Sequence, residues 1–193
     1  MIKIGIICPS EIAFRRFLPA LKQDNRFMFA GIGVASATEW YGENTAVDLA
    51  ADKDRMDREI AKAQTFLDKC NCGKIFNSYT ELVTNRNIDA IYIPLPPALH
   101  YKWAKIALDN GKHVFVEKPS TTNFHDTKAL IDQAHKNGLA LHENYMFIYH
   151  DQLKAVNDIV ARGEIGDVRL YRISFGFPRR SQHDFRYNKL LGG

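Results

Sequence analysis

Cysteine is scarce: Cys8, Cys70 and Cys72 are the only three in 193 residues. That is too few for a disulfide framework, and Cys70-Asn71-Cys72 has no second ligand pair at zinc spacing. Reduced thiols in a cytoplasmic protein, with no metal, are therefore expected. Long apolar runs are missing as well. No stretch of about 18 apolar residues occurs, which argues against a membrane-spanning helix. Met1-Ile2-Lys3-Ile4-Gly5-Ile6-Ile7 shows none of the regions of a signal peptide and reads as a strand. Charge of one sign is also limited, with 26 Lys and Arg against 22 Asp and Glu and a net charge of +4. Arg169, Arg172, Arg179, Arg180 and Arg186 cluster late, but no homeodomain, zinc-finger or RNA-binding signature accompanies them, so no nucleic-acid partner is expected. The mild positive bias suits small anions, such as phosphates or sugar nucleotides. What is present is ordinary for a globular protein, 46% hydrophobic and 25% charged, and long enough for one domain and a remainder.

Short β-branched runs alternate with helical patterns. The runs are Ile2–Ile7, Phe27–Val34, Ala90–Ile93, His113–Val116 and Leu139–Leu141. Between them, Ile12, Leu18 and Leu21 sit at helical spacing, as do Ala104, Ala107 and Leu108, then Ala129, Leu130 and Ala134. Continuous apolar strands separated by helices predict a parallel sheet covered on both faces, and right-handed crossovers make it a doubly wound α/β (Rossmann) fold. Asp52–Asp68 carries both charge signs with Ile60, Ala63 and Leu67 on one stripe, and its charges read as a solvated helix face. Ser78-x-x-Glu81 is a capping box. Pro94, Pro96 and Pro97 must end the strand Ala90–Ile93. After about residue 145 the pattern changes. A helix over Asp151–Arg162 leads through Gly163-Glu164-Ile165-Gly166 into Val168–Phe177, whose period-two alternation predicts a strand. The expected organisation is a dinucleotide-binding domain over residues 1–145 and the incomplete start of an α+β domain over 146–193, in a truncated chain.

In a dinucleotide fold the turn after the first strand meets the pyrophosphate. Here Cys8 and Ser10 stand where the fingerprint G-x-G-x-x-G/A has glycine, and Ala13 fits the third position. Cys8, Pro9, Ser10 and Ile12 are thus the candidate pyrophosphate turn; an ordinary strand–helix turn capped by Ser10 is the competing reading. After the second strand, Ser36 and Thr38 replace the acidic residue that holds the ribose 2′-hydroxyl of NAD, which favours NADP. Glu39 keeps NAD open, and no arginine follows immediately.

Lys118 stands at the end of a parallel strand, where such folds collect chemistry, and Pro119 makes a cis bond beside it accessible. Taken alone, Lys-Pro after a strand is also a common turn. Several pieces occur together in order: Arg15-Arg16-Phe17-Leu18-Pro19, Ile91-Tyr92-Ile93-Pro94-Leu95-Pro96, Leu99-His100, Glu117-Lys118-Pro119, Glu143-Asn144-Tyr145-Met146-Phe147, Gly163-Glu164-Ile165-Gly166 and Asp184-Phe185-Arg186-Tyr187. This ordered set resembles the Gfo/Idh/MocA family of sugar oxidoreductases over essentially the whole chain. It is most similar to the branch with glucose–fructose oxidoreductase and the NADP-dependent keto-sugar reductases. The resemblance implies hydride exchange between NADP(H), or NAD(H), and a carbon of a sugar or sugar nucleotide. It places Lys118 beside nicotinamide and substrate and Tyr145 facing the site. Pro94, Leu95, Pro96 and His100 would line the cofactor, with Glu117 near the nicotinamide ribose. For His100 a packed helix-start histidine is the alternative, and His142 and His150 read as structural. The resemblance also implies a homo-oligomer when full length. The irregular glycine turn leaves a second possibility, a non-catalytic nucleotide or sugar sensor on the same fold.

Overall fold

The computed structural model describes residues 1–43, 45–182 and 184–192. Six parallel strands form one sheet in the order β3-β2-β1-β4-β5-β6. They are β1 (Ile2–Ile7), β2 (Phe27–Gly33), β3 (Lys74–Phe76), β4 (Ala90–Ile93), β5 (His113–Glu117) and β6 (Leu141–Asn144). The strands are joined by α1 (Leu18–Gln23), which follows a π-helical turn at Ala13–Phe17, and by α2 (Ala37–Tyr41), α3 (Leu49–Cys70), α4 (Tyr79–Thr84), α5 (Pro97–Asp109) and α6 (Phe124–Asn137). α7 (Asp151–Ala161) follows the last strand.

Alternation along the strands sends side chains into two cores. Ile7, Ile91, Ile93, Val114 and Val116 pack with Leu82 of α4, Trp103 and Leu108 of α5, and Leu130 of α6. Ile4, Ile6, Phe29, Ile32 and Tyr92 pack on the other face with Leu18 of α1 and Phe66 of α3. A sheet covered on both faces needs apolar residues in both phases, which is why these strands read as unbroken apolar runs.

β1 and β2 slip by one residue between the pairs Ile4↔Phe29 and Gly5↔Gly31, a bulge that Gly31 accommodates at φ 154°. A Cβ at Gly31 would overlap the Lys74 carbonyl oxygen and lie 2.7 Å from the Phe76 ring. Gly31→Ala is expected to destabilise the fold by about 2–4 kcal/mol through lost β2–β3 pairing, read as a lower denaturation midpoint. An unchanged midpoint would show that this edge of the sheet can move aside.

Several expectations shift. β6 starts two residues late because Gly138 closes α6 in the left-handed conformation and the Leu139 N–H still donates to Ala134 O. The short β3 lacks a sequence run long enough to be recognised. The Asp52–Asp68 helix is longer, and its charges are not all solvated, since Arg55 and Glu59 are buried. Val168–Phe177 is not a strand. An alternating pattern needs a hydrogen-bonded neighbour to become one, and among the described residues this segment has none, so Ile173 and Phe175 stay exposed.

Candidate active site

All strands run the same way, so β1, β2, β4, β5 and β6 deliver their carboxyl ends to one rim. The strand order reverses between β1 and β4, where a crevice for a ligand is expected. At the end of β1 the Cys8 N–H donates to Gly33 O, and Cys8 adopts φ 72°. The turn therefore has the left-handed conformation that usually calls for glycine, and this chain reaches it with a cysteine. Burial and the Glu59 carboxylate push the Cys8 thiol up to about 12, against the opposing effects of Tyr79 and Lys62. The thiol is thus protonated at neutral pH. Pro9 is buried, Ile12 half-buried, and Ser10 Oγ accepts from the Ala13 N–H at 3.3 Å.

At the end of β2 the rival to the NADP reading is turned inward. Glu39 Oε2 accepts from the N–H groups of Ser36 and Tyr79, both at 2.9 Å. Its Oε1 accepts from the Thr80 N–H at 2.8 Å and the Thr80 hydroxyl at 2.7 Å. Ser36 returns a bond to the Glu39 N–H, completing a capping box, and its hydroxyl lies 3.2 Å from that of Thr38. Both carboxylate oxygens are thus committed to the start of α2 and to α4. Burial raises the carboxyl pKa, but the bonds from Thr80, Ser36 and Tyr79 outweigh it and hold the group below its ordinary value. A carboxyl lowered on folding stabilises the protein above its unfolded pKa of about 4.3, and that contribution drains away as the pH falls through the folded value. Glu39→Gln is expected to cost about 1–3 kcal/mol at neutral pH. Its difference from wild type in urea unfolding should shrink as the solution is acidified below that range, whereas a gap that does not change with pH would contradict the assignment.

Across from this cap, α3 presents a buried charged face. Arg55 Nε donates to Asp52 Oδ1 at 2.8 Å, and the guanidinium carbon lies 5.0 Å from the Trp40 ring centre and 5.9 Å from that of Tyr41. Nη2 is 2.7 Å from Asp52 Oδ1, close enough for ionic attraction, yet neither Nη1 nor Nη2 makes a hydrogen bond. One turn further, Glu59 Oε2 is buried and also unbonded, while Oε1 has Lys62 at 3.4 Å.

The far side of the rim is built on β4, β5 and β6. Register pairs Glu117 with Asn144, so Lys118 and Tyr145 leave adjacent strands side by side. The Lys118–Pro119 bond is cis and Lys118 is exposed. Tyr145 is partly exposed and its ring meets Phe147 edge-on. Glu117 is buried, and its Oε1 accepts from Tyr92 Oη at 2.7 Å and from Asn144 Nδ2 at 2.6 Å. Pro94 and Leu95 are buried in the turn before α5, and Pro96 caps that helix. His100 is fully buried, with Nδ1 2.8 Å from Pro119 O and Nε2 2.6 Å from Leu95 O. Burial lowers its pKa, although the two carbonyls pull the other way. The ring ties the β4 turn to the corner that carries Lys118. Glu143 Oε1 accepts from the Ser120 N–H at 2.6 Å and pins the same corner from β6.

Cys8, Pro9 and Ser10 thus lie after β1, Ser36 and Thr38 after β2, Pro94–Pro96 after β4, Glu117 and Lys118 at β5, and Tyr145 after β6. Sequence reading gave no role to Arg55 or Trp40, and it quoted Glu143 within a motif without foreseeing its bond to Ser120. It also read Glu39 as a competitor, although Ser36-x-x-Glu39 spells a capping box.

Comparison with known proteins agrees with the doubly wound fold. A family model described as an oxidoreductase family with an NAD-binding Rossmann fold matches residues 25–145. The chain is 39% identical over 192 residues to a dTDP-3,4-didehydro-2,6-dideoxy-alpha-D-glucose 3-reductase of Streptomyces violaceoruber, covering 100% of this chain and 49% of that protein. The enzyme of the same name from Saccharopolyspora spinosa is 34% identical, with 51% of it covered. Among solved structures, KijD10, a 3-ketoreductase from Actinomadura kijaniata in complex with NADP and TDP-benzene, superposes with a TM-score of 0.80 at 34% identity, covering 100% of this chain and 52% of that one. The chain spans about half the length of the curated relatives it matches.

Proposed function

The chain belongs to the Gfo/Idh/MocA family of oxidoreductases, with a Rossmann fold, and from that premise we propose that it is the nucleotide-binding part of an NADP-dependent reductase of a dTDP-linked keto sugar. The observation that carries the reading is the pair Lys118 and Tyr145, leaving the neighbouring strands β5 and β6 on the same rim as the β1–β4 crevice. The residues present fit the cofactor. Cys8 takes the left-handed backbone conformation that a glycine supplies in such turns, the Glu39 carboxylate is withdrawn from the β2 end, and the buried Arg55 Nη1 lies nearby without a partner. When bound, NADPH would supply the hydride.

The chain's own groups would do the rest. Lys118 donates a hydrogen bond to the carbonyl oxygen of the sugar and stabilises the charge that gathers there, a preorganised cation placed where the transition state needs it. Tyr145 faces the same oxygen from β6. His100 and Glu143 hold the corner that aims the lysine, and Glu117, fixed by Tyr92 and Asn144, borders the nicotinamide ribose. Pro94, Leu95 and Pro96 form the stiff wall along the cofactor.

A cytoplasmic homo-oligomer completes the proposal. Three free thiols support the compartment, and exposed Met146, Phe147, Ile148 and Tyr149 support association. Among the described residues no helix is long and apolar enough to cross a membrane. The sensor reading leaned on missing glycines, and that support weakens once Cys8 adopts the glycine-like conformation. NADPH oxidation by the full-length protein in the presence of dTDP-3,4-didehydro-2,6-dideoxy-glucose tests the reading. Consumption that depends on the sugar is expected; binding of both ligands without turnover would favour a sensor.

A further inference from the structure

We propose that Arg55 is the residue that reads the 2′-phosphate of the cofactor, an inference that rests on the NADP reading above. The usual place for such a cation, directly after Ser36, holds Ala37. A 2′-phosphate nonetheless needs an arginine within reach of the second strand's end. Arg55 is the buried cation on the helix packed beside that end. Its guanidinium lies on the ring of Trp40, and Trp40 belongs to the short helix that Ser36 caps. One turn along α3, Glu59 is near enough to Cys8 to raise its thiol pKa. The Arg55–Glu59 face therefore runs past the carboxyl ends of both β1 and β2.

The state of the guanidinium points to a ligand. Arg55 is 6% exposed, and both terminal nitrogens are buried without a hydrogen bond. Desolvated N–H donors left unpaired are unfavourable, so a purely structural arginine should have all its donors used. Glu59 does not claim it; its bonded oxygen has Lys62 instead. Asp52 takes Nε and lies 2.7 Å from Nη2, which leaves Nη1 with neither an ion pair nor a hydrogen bond. The guanidinium fork matches phosphate geometry. Trp40 is 52% exposed. The flexible stem can swing the guanidinium from beneath this ring to the rim, where an anion supplies the acceptors that the resting position lacks.

Titration calorimetry of the 193-residue chain with NADPH and with NADH, for wild type, Arg55→Met and Arg55→Lys, decides the matter. Met keeps the stem packed against Trp40 while removing the fork. Wild type should bind NADPH more tightly than NADH. Arg55→Met should weaken NADPH by about 10- to 100-fold, as for loss of a charged hydrogen-bonding group, and leave NADH within about threefold. Arg55→Lys should recover part of the NADPH affinity, because it restores the charge without the fork. Equal losses for the two nucleotides, or no loss for either, would overturn the assignment while leaving the reductase reading intact. Wild type that binds neither nucleotide, or prefers NADH, would overturn the cofactor reading and this inference with it.

Discussion

Replacing Lys118 with alanine is expected to lower kcat for NADPH-dependent reduction of the keto sugar by about 10²–10³-fold, the loss seen when one donor to a developing oxyanion is removed. NADPH affinity should stay within about threefold, because the lysine acts on charge that exists only as the carbonyl is reduced. Lys118 is free to do so. It is exposed at the end of β5, and no hydrogen bond or ion pair holds its ammonium among the described residues. Lys118→Arg should recover little, since a planar fork cannot occupy the place of a compact ammonium on a single oxygen. Were Lys118 only a turn residue, all three proteins would reduce the sugar equally well. Stopped-flow single turnovers in the full-length protein separate the cases, because they read the chemical step apart from release.

His100→Leu is expected to lower stability by about 2–4 kcal/mol, because a buried carbonyl acceptor loses its N–H donor. Leucine fills much of the space, so the loss reports hydrogen bonding more than volume. The ring bridges Leu95 O and Pro119 O, thereby joining the β4 turn to the Lys118 corner. The melting temperature should fall by about 5–15 °C for a chain of this size. His100→Gln, which keeps one donor, should recover part of it. A leucine variant as stable as wild type would show that the clamp is dispensable and that the corner is held from β6 alone, through Glu143 and Ser120.

Five of the six strands and both sheet faces could be read from the sequence, because a buried parallel strand must be apolar in both phases and the prolines after Ile93 mark its end. β3 escaped because Lys74–Phe76 is only three residues long and takes its identity from pairing with Gly31–Gly33. Alternation misled at Val168–Phe177, where the pattern is present and the neighbouring strand is not. At the site, the strand-end residues could be placed by position, whereas their states could not. The fingerprint asks for glycine because of a backbone angle, and Cys8 meets the angle while failing the pattern. Whether Glu39 faces the ribose or the interior depends on Tyr79 and Thr80, forty residues away in the chain. Nothing in a run of mixed charges distinguishes Arg55, which is buried on aromatic rings, from Arg58, which pairs in the open with Asp54.

Hydride transfer from the nicotinamide to the sugar is the claim on which the account depends, and isotope tracing tests it most directly. NADPH carrying deuterium at both hydrogen positions of nicotinamide C4, incubated in ordinary water with the full-length protein and the dTDP-linked 3-keto sugar, should yield a product with one deuterium on the carbon that had been the ketone. Product without deuterium at that carbon, or intact keto sugar alongside unconsumed NADPH, would contradict it.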